Sequence, residues 1–209
     1  MKNFLKINLK KRFISILLIL LFVNGNCNLM NGTVEYSYKN PIYNPTPSRN
    51  ISVTLIKSED HPDAFKDGLF IEGIKKTRFG SNGGFIFLKP RGPEIIKEVF
   101  ITELKNVGFT IISESDPNTP EIEIQVNQFF MEPEVGIFFV DVISVIDINI
   151  FVHFKNKTYK RRFQSFGEVM NVECYDILYY IALDRSLKNL AKKTLPEVID
   201  LIQNERKEF

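Results

Sequence analysis

Residues able to act as bases, nucleophiles or soft metal ligands are sparse: two histidines, His61 and His153, and two cysteines, Cys27 and Cys174. Neither histidine stands at the spacing of a zinc site, a catalytic triad or a kinase signature. Asp60-His61-Pro62-Asp63 could bind a metal weakly, but Asp and Pro are also the residues a solvated turn uses. Asp141, Asp147 and His153 share one face of a strand pattern, where residues two or more pairs apart are too distant for a single metal shell, so they read as a solvent-facing strip. Gly80-Ser-Asn-Gly-Gly84 lacks the Lys-Ser/Thr ending and the directly following helix of a phosphate loop, and reads as a hairpin loop. Cys174 has no histidine signature around it and reads as a small residue near a helix start. The expectation is therefore no catalytic set, no cofactor and no metal site: a protein that is not an enzyme.

Side chains suited to contact are more plentiful. Nineteen phenylalanines and no tryptophan make aromatic burial the main core term. Phe138-Phe139, Phe129-Phe130 and Tyr179-Tyr180 place aromatics on both faces of their elements. Exposed apolar patches mark contacts with protein or lipid, although the polar stretches before and after the first strand could also cover them. Lys157, Lys160, Arg161 and Arg162 form a basic cluster that could meet anionic lipid or glycan, or could blunt an exposed strand edge. Phe138, Phe139, Lys160, Arg161 and Arg162 are the candidate partner-contact residues.

The N-terminus carries the clearest signal. A basic run (Lys2, Lys6, Lys10, Lys11, Arg12), an apolar block from Phe13 to Val23 and the polar Asn24-Gly-Asn-Cys27 have the anatomy of an export signal. The block has about half of the roughly 20 residues a spanning helix requires. Without residues 1–27 the chain keeps 22 basic and 25 acidic residues, a net charge of −3 that gives nucleic-acid binding no support. Cys27 just after the apolar block resembles the lipobox cysteine of bacterial lipoproteins, in a relaxed form with Asn24 and Asn26 where small residues are commoner. The resemblance implies acylation of Cys27 and an exported protein anchored to a membrane, the outer membrane being expected. Acylated Cys27 leaves Cys174 as a single thiol; without lipid, a Cys27–Cys174 bridge becomes available.

The remaining residues must make the scaffold. Residues 28–50, with Pro41, Pro45 and Pro47, read as a flexible tether, and 51–209 as one domain. Ile51 to Lys57, Phe85 to Leu88 and Phe109 to Ser113 read as strands. Pro93 and Gly108 bracket a helix with Ile96, Val99, Phe100, Leu104 and Val107 along one stripe. Glu121 to Gln128, the run Val135 to Phe154 broken near Gly136, and Thr158 to Phe166 read as a meander. A second helix is expected from Tyr175 to Thr194, ended by Pro196 before a short helix to Gln203. Strands in runs with two helices point to an α+β fold, an antiparallel or mixed sheet with both helices on one face. Through Ile51 to Ile56, the helix with Asn106-Val-Gly-Phe109, and Glu121 to Phe129, residues 51–203 resemble the YajG-type bacterial lipoprotein family. The resemblance implies a small lipoprotein of the outer membrane or periplasm with no catalytic residues to transfer. The function expected is binding or scaffolding of an envelope partner, with a lipid- or glycan-binding accessory module as the alternative.

Overall fold

Long apolar alternation makes the centre of the molecule. The computed structural model describes residues 30–46, 51–59, 65–66, 69–77, 79–112, 119–154 and 156–207. In chain order the strands and helices are β1 Gly32–Glu35, β2 Ile51–Glu59, β3 Phe65–Lys66, β4 Leu69–Phe70, β5 Gly73–Lys76, β6 Asn82–Lys89, α1 Gly92–Asn106, β7 Phe109–Ile112, β8 Glu121–Val135, β9 Val140–Phe154, β10 Lys157–Asn171 and α2 Asp176–Lys207. Strands β8, β9 and β10 form the expected antiparallel meander, each 15 residues long. The other edge of β8 is shared: β2 pairs in parallel with its first half, and β5 touches it at Gly73 opposite Met131. Beyond β2 lies β7, and beyond β5 lie β6 and β1.

A register shift lies between Val126 and Gln128 of β8. One extra residue in a strand reverses which positions face the core, and the buried set changes from Ile122, Ile124 and Val126 to Met131. On β9 the even positions from Val140 to Phe154 are buried throughout.

Helix α2 covers that apolar face. It crosses β10 where Gly167 leaves no side chain: a Cβ there would stand 2.0 Å from Ala182 O and 2.4 Å from Ser186 N. Around the crossing, Ser144 Oγ meets Ser186 Oγ at 2.9 Å and Ser165 Oγ donates to Ser186 O at 2.6 Å. Helix α1 packs against α2, β2 and β7, burying Ile95, Ile96, Val99, Phe100 and Leu104. The α+β expectation is borne out.

Two expectations need correction. Pro196 does not end the second helix, which runs unbroken to Lys207. The proline sits on the solvent side, where the Lys192 carbonyl left without an amide donor can be hydrated, while Leu187, Leu190, Leu195, Val198 and Ile202 continue the buried stripe past it. Nor is the segment 28–50 a tether throughout. Gly32 to Glu35 pairs in parallel with β6, and the chain after it is strapped over the helices. Buried Glu103 on α1 accepts hydrogen bonds from Tyr38 Oη, from Ile42 N at 2.6 Å and from Tyr43 N at 3.1 Å. Tyr36 Oη donates to Asp184 Oδ1 at 3.1 Å, and Thr46 N donates to Asn106 O at 2.8 Å. Tyr38 Oη and the amides of Ile42 and Tyr43 thus give the buried carboxylate the three donors it requires.

Because the atoms facing Gly167 are backbone, they cannot rotate away. Gly167→Ala is expected to cost about 3 kcal/mol, seen as a fall in melting temperature of roughly 10 °C. An unchanged melting temperature would show that α2 does not sit on β10 at this distance.

Candidate binding face of the meander

With α2 on one face of β8, β9 and β10, the side chains that alternate with the core project from the other. The residues there are polar and interlocked. Asp147, expected in a solvent-facing strip, is instead only 2% exposed, covered by Arg162, which donates from Nε to Oδ1 at 3.0 Å and from Nη2 to Oδ2 at 2.6 Å. Gln164 Nε2 reaches the same carboxylate at 2.7 Å and Asn127 Nδ2 at 2.9 Å. The Arg162 hydrogen bonds, with those from Gln164 and Asn127, outweigh burial and hold the Asp147 carboxyl down at about 2. Asn149 Nδ2 donates to Gln125 Oε1 at 3.1 Å and to Asn127 Oδ1 at 2.9 Å. Asn127 is the extra residue of the β8 register shift, and the shift aims its amide into this network.

Above the network lies an open hollow of about 550 Å³ lined by Asn127, Asn149, Lys160 and Arg162. Lys160 Nζ stands 5.1 Å from the centre of the Phe151 ring, and that ring stacks on His153 at 6.2 Å. Both imidazole nitrogens of His153 are engaged, Nδ1 with Thr158 Oγ1 at 3.0 Å and Nε2 with Glu123 Oε2 at 3.2 Å. A lining of planar amides and two cations over a neutralised carboxylate suits hydroxyl-rich or anionic groups.

The structure divides the candidate contact residues among separate places. Lys160 and Arg162 share the outer face. Arg161, between them, points to the helix side of the strand, with Nε 4.0 Å from Glu197 Oε2 on α2. Phe138 and Phe139 sit at the tip of the β8–β9 hairpin, where Gly136 N donates to Phe139 O at 2.9 Å. A Cβ on Gly136 would lie 3.0 Å from the Phe139 ring, so the ring folds over the glycine. In the β9 register Lys160 faces Phe151, eleven residues from Val140, or roughly 35 Å along the strand. The two halves of the expected contact surface therefore do not meet. Of the other expectations, the Gly80 hairpin is present, with Gly80 at φ 80° and Gly80 N donating to Thr77 O at 2.9 Å. Cys27 and Asp60 to Asp63 lie outside the described residues.

Cys174 departs from the single-thiol expectation. It is buried and disulfide-bonded. The chain has one other cysteine, Cys27. A sulfur in a disulfide cannot also carry a thioether-linked glyceride, so if Cys27 supplies the second sulfur, the bonded and lipidated states exclude each other.

Two features escaped the sequence. Asn127 joins the network through the β8 shift, which alternation alone does not reveal. Buried Glu72 stands at the start of α1, where its Oε1 accepts from Gly92 N at 2.5 Å. Burial pushes its carboxyl up from 4.5 to about 7, against the amides of Gly92 and Leu88. Stability from a carboxyl raised on folding is full below its unfolded value and is lost as pH rises through the folded one. The domain is thus expected to lose on the order of 3 kcal/mol from this group between pH 4.5 and 7. In thermal melts across that range Glu72→Gln should flatten the loss, whereas parallel profiles for the two proteins would refute the assignment.

Residues 90–173 match the model of a family described as uncharacterized lipoprotein, a span from the start of α1 to the loop after β10. No curated protein sequence matches the chain. Among solved structures, a Xanthomonas campestris protein of the DUF330 family aligns at 11% identity over 83% of this chain and 99% of its own, with a TM-score of 0.49. A Helicobacter pylori homolog of neuraminyllactose-binding hemagglutinin aligns at 11% identity over 84% of this chain and 100% of its own, with a TM-score of 0.40.

Proposed function

We propose, taking as premise that residues 90–173 make this chain a YajG-type lipoprotein, exported and anchored to a membrane, that in the anchored form Cys27 carries the lipid in place of a disulfide to Cys174 and that the protein works by binding rather than by catalysis. Its contact surface toward an envelope partner is the outer face of the meander. The observation that carries this reading is the hollow lined by Asn127, Asn149, Lys160 and Arg162. Chemistry-bearing groups beside it are committed to structure: Asp147 is clamped by Arg162, Gln164 and Asn127, and His153 is engaged at both nitrogens. Exposed Lys160 and the outer edge of Arg162 remain to meet a ligand, and amide side chains flank them. This lining favours a glycan or an acidic protein surface, whereas an acyl chain would require apolar walls. The proposed site of action is the outer membrane, with this face turned to the periplasm.

A photo-crosslinking residue at position 160 in the native cell is expected to yield a discrete adduct whose mass identifies a protein or a glycan. In binding of that ligand to the purified full chain, Lys160→Glu should weaken affinity by roughly fivefold or more at low salt. The deficit should shrink as salt is raised, because exposed charges are screened beyond about 8–10 Å. Undiminished affinity in Lys160→Glu and in Asn149→Ala would remove this face from the account.

A further inference from the structure

Large apolar side chains left in water are not scattered over this molecule. Among the described residues nine of the ten that are well exposed lie at one end of the sheet, Phe166 in mid-strand being the exception. Three connections bring eight of them there, and Met30 stands just before β1. The β5–β6 turn carries Phe79, 91% exposed, and the β8–β9 tip carries Phe138, 79% exposed. The β10–α2 junction carries Met170, Val172, Tyr175 and Ile177. Strand directions fix the coincidence. β5 runs parallel to β8, so the turn that follows β5 lies beside the β8–β9 tip, and Asn171 at the end of β10 pairs with Val140 at the start of β9.

The chain enters the domain at this same end. β1 is parallel to β6, which starts from the β5–β6 turn, and Asn31 Oδ1 accepts from Phe85 N at 3.0 Å. A Cβ on Gly32 would lie 2.8 Å from Lys75 Nζ and 3.0 Å from Asp176 Oδ2, the pair that joins β5 to the first residue of α2 at 2.6 Å. Five residue steps separate Gly32 from Cys27, a span of at most about 18 Å. A lipid on Cys27 therefore holds this end, and no other, against the bilayer.

We propose that the apolar end carrying Phe79, Phe138, Met170, Val172, Tyr175 and Ile177 rests in the membrane interface. This rests on the anchoring reading above. The occupant is the lipid headgroup and upper acyl region, where aromatic and branched side chains on protruding turns leave water without the domain crossing the membrane. It also orients the molecule: Lys160 and the hollow on the outer face stand roughly 35 Å along the meander from the lipid, facing away from it.

The absence of tryptophan from the chain makes the test direct. Phe138→Trp, Phe79→Trp and Arg161→Trp, each the sole indole of the full-length lipidated protein, are reconstituted into phosphatidylethanolamine–phosphatidylglycerol vesicles with brominated acyl chains. The first two should lose emission roughly twofold or more, and Arg161→Trp should be unaffected. Protein that floats with the vesicles while all three remain unquenched overturns the orientation and leaves the anchor standing. Blue-shifted but unquenched emission at positions 138 and 79 assigns the end to a protein contact and overturns it equally. Failure to float removes the anchor, and this inference with it.

Discussion

Helix α2 can lie directly on β9 and β10 only because the crossing is stripped of bulk. Gly167 faces the carbonyl of Ala182 and the amide of Ser186, and Ser144 and Ser165 bond to Ser186. At that distance one helix covers the apolar side of a meander whose strands would otherwise expose Ile146, Ile148 and Ile150 to water. Two features follow from the close seat. Helix α1 finds its place against α2 and the β2–β7 edge, and the buried Glu103 on α1 then demands donors, which the segment from Tyr38 to Tyr43 supplies. With both helices engaged in this packing, the outer side of β8, β9 and β10 keeps its polar network.

The sheet thereby acquires two unlike ends and two unlike faces. Its helix-covered face is the core. Its outer face is a lattice of amides, Arg162 and Asp147 in which nearly every polar group has a partner, a rigid surface rather than a reactive one. Apolar side chains gather where the chain enters, and Lys160 and Arg162 stand toward the other end. Such segregation gives a tethered domain a preferred orientation without any spanning segment; among the described residues no helix is long and apolar enough to cross a membrane.

Elements with strong local signals were legible in the sequence. Pro93 and Gly108 bounded α1 to within about two residues, and the alternation of Val140 to Phe154 named the helix-facing side of β9, but not that Asp147 and Asn149 on the opposite side are buried as well. The parallel pairings of β1 with β6 and of β2 with β8 were not legible, because they join residues distant in the chain with no local mark. Pro41, Pro45 and Pro47 argued for a free tether, yet the donors in that segment are spent on a carboxylate some 60 positions away, and nothing in a linear reading reveals that Glu103 is buried. The basic run Lys160 to Arg162 looked like one patch; the two-residue period of a strand divides it, sending Arg161 toward Glu197.

The state of one sulfur tests the central claim most directly. Full-length protein from the membrane fraction is denatured without reductant, alkylated, digested and analysed by mass spectrometry. The anchored account predicts an N-terminal fragment beginning at acylated Cys27. A Cys174 protected until reductant is added, recovered in a peptide joined through its disulfide to unacylated Cys27, would contradict it.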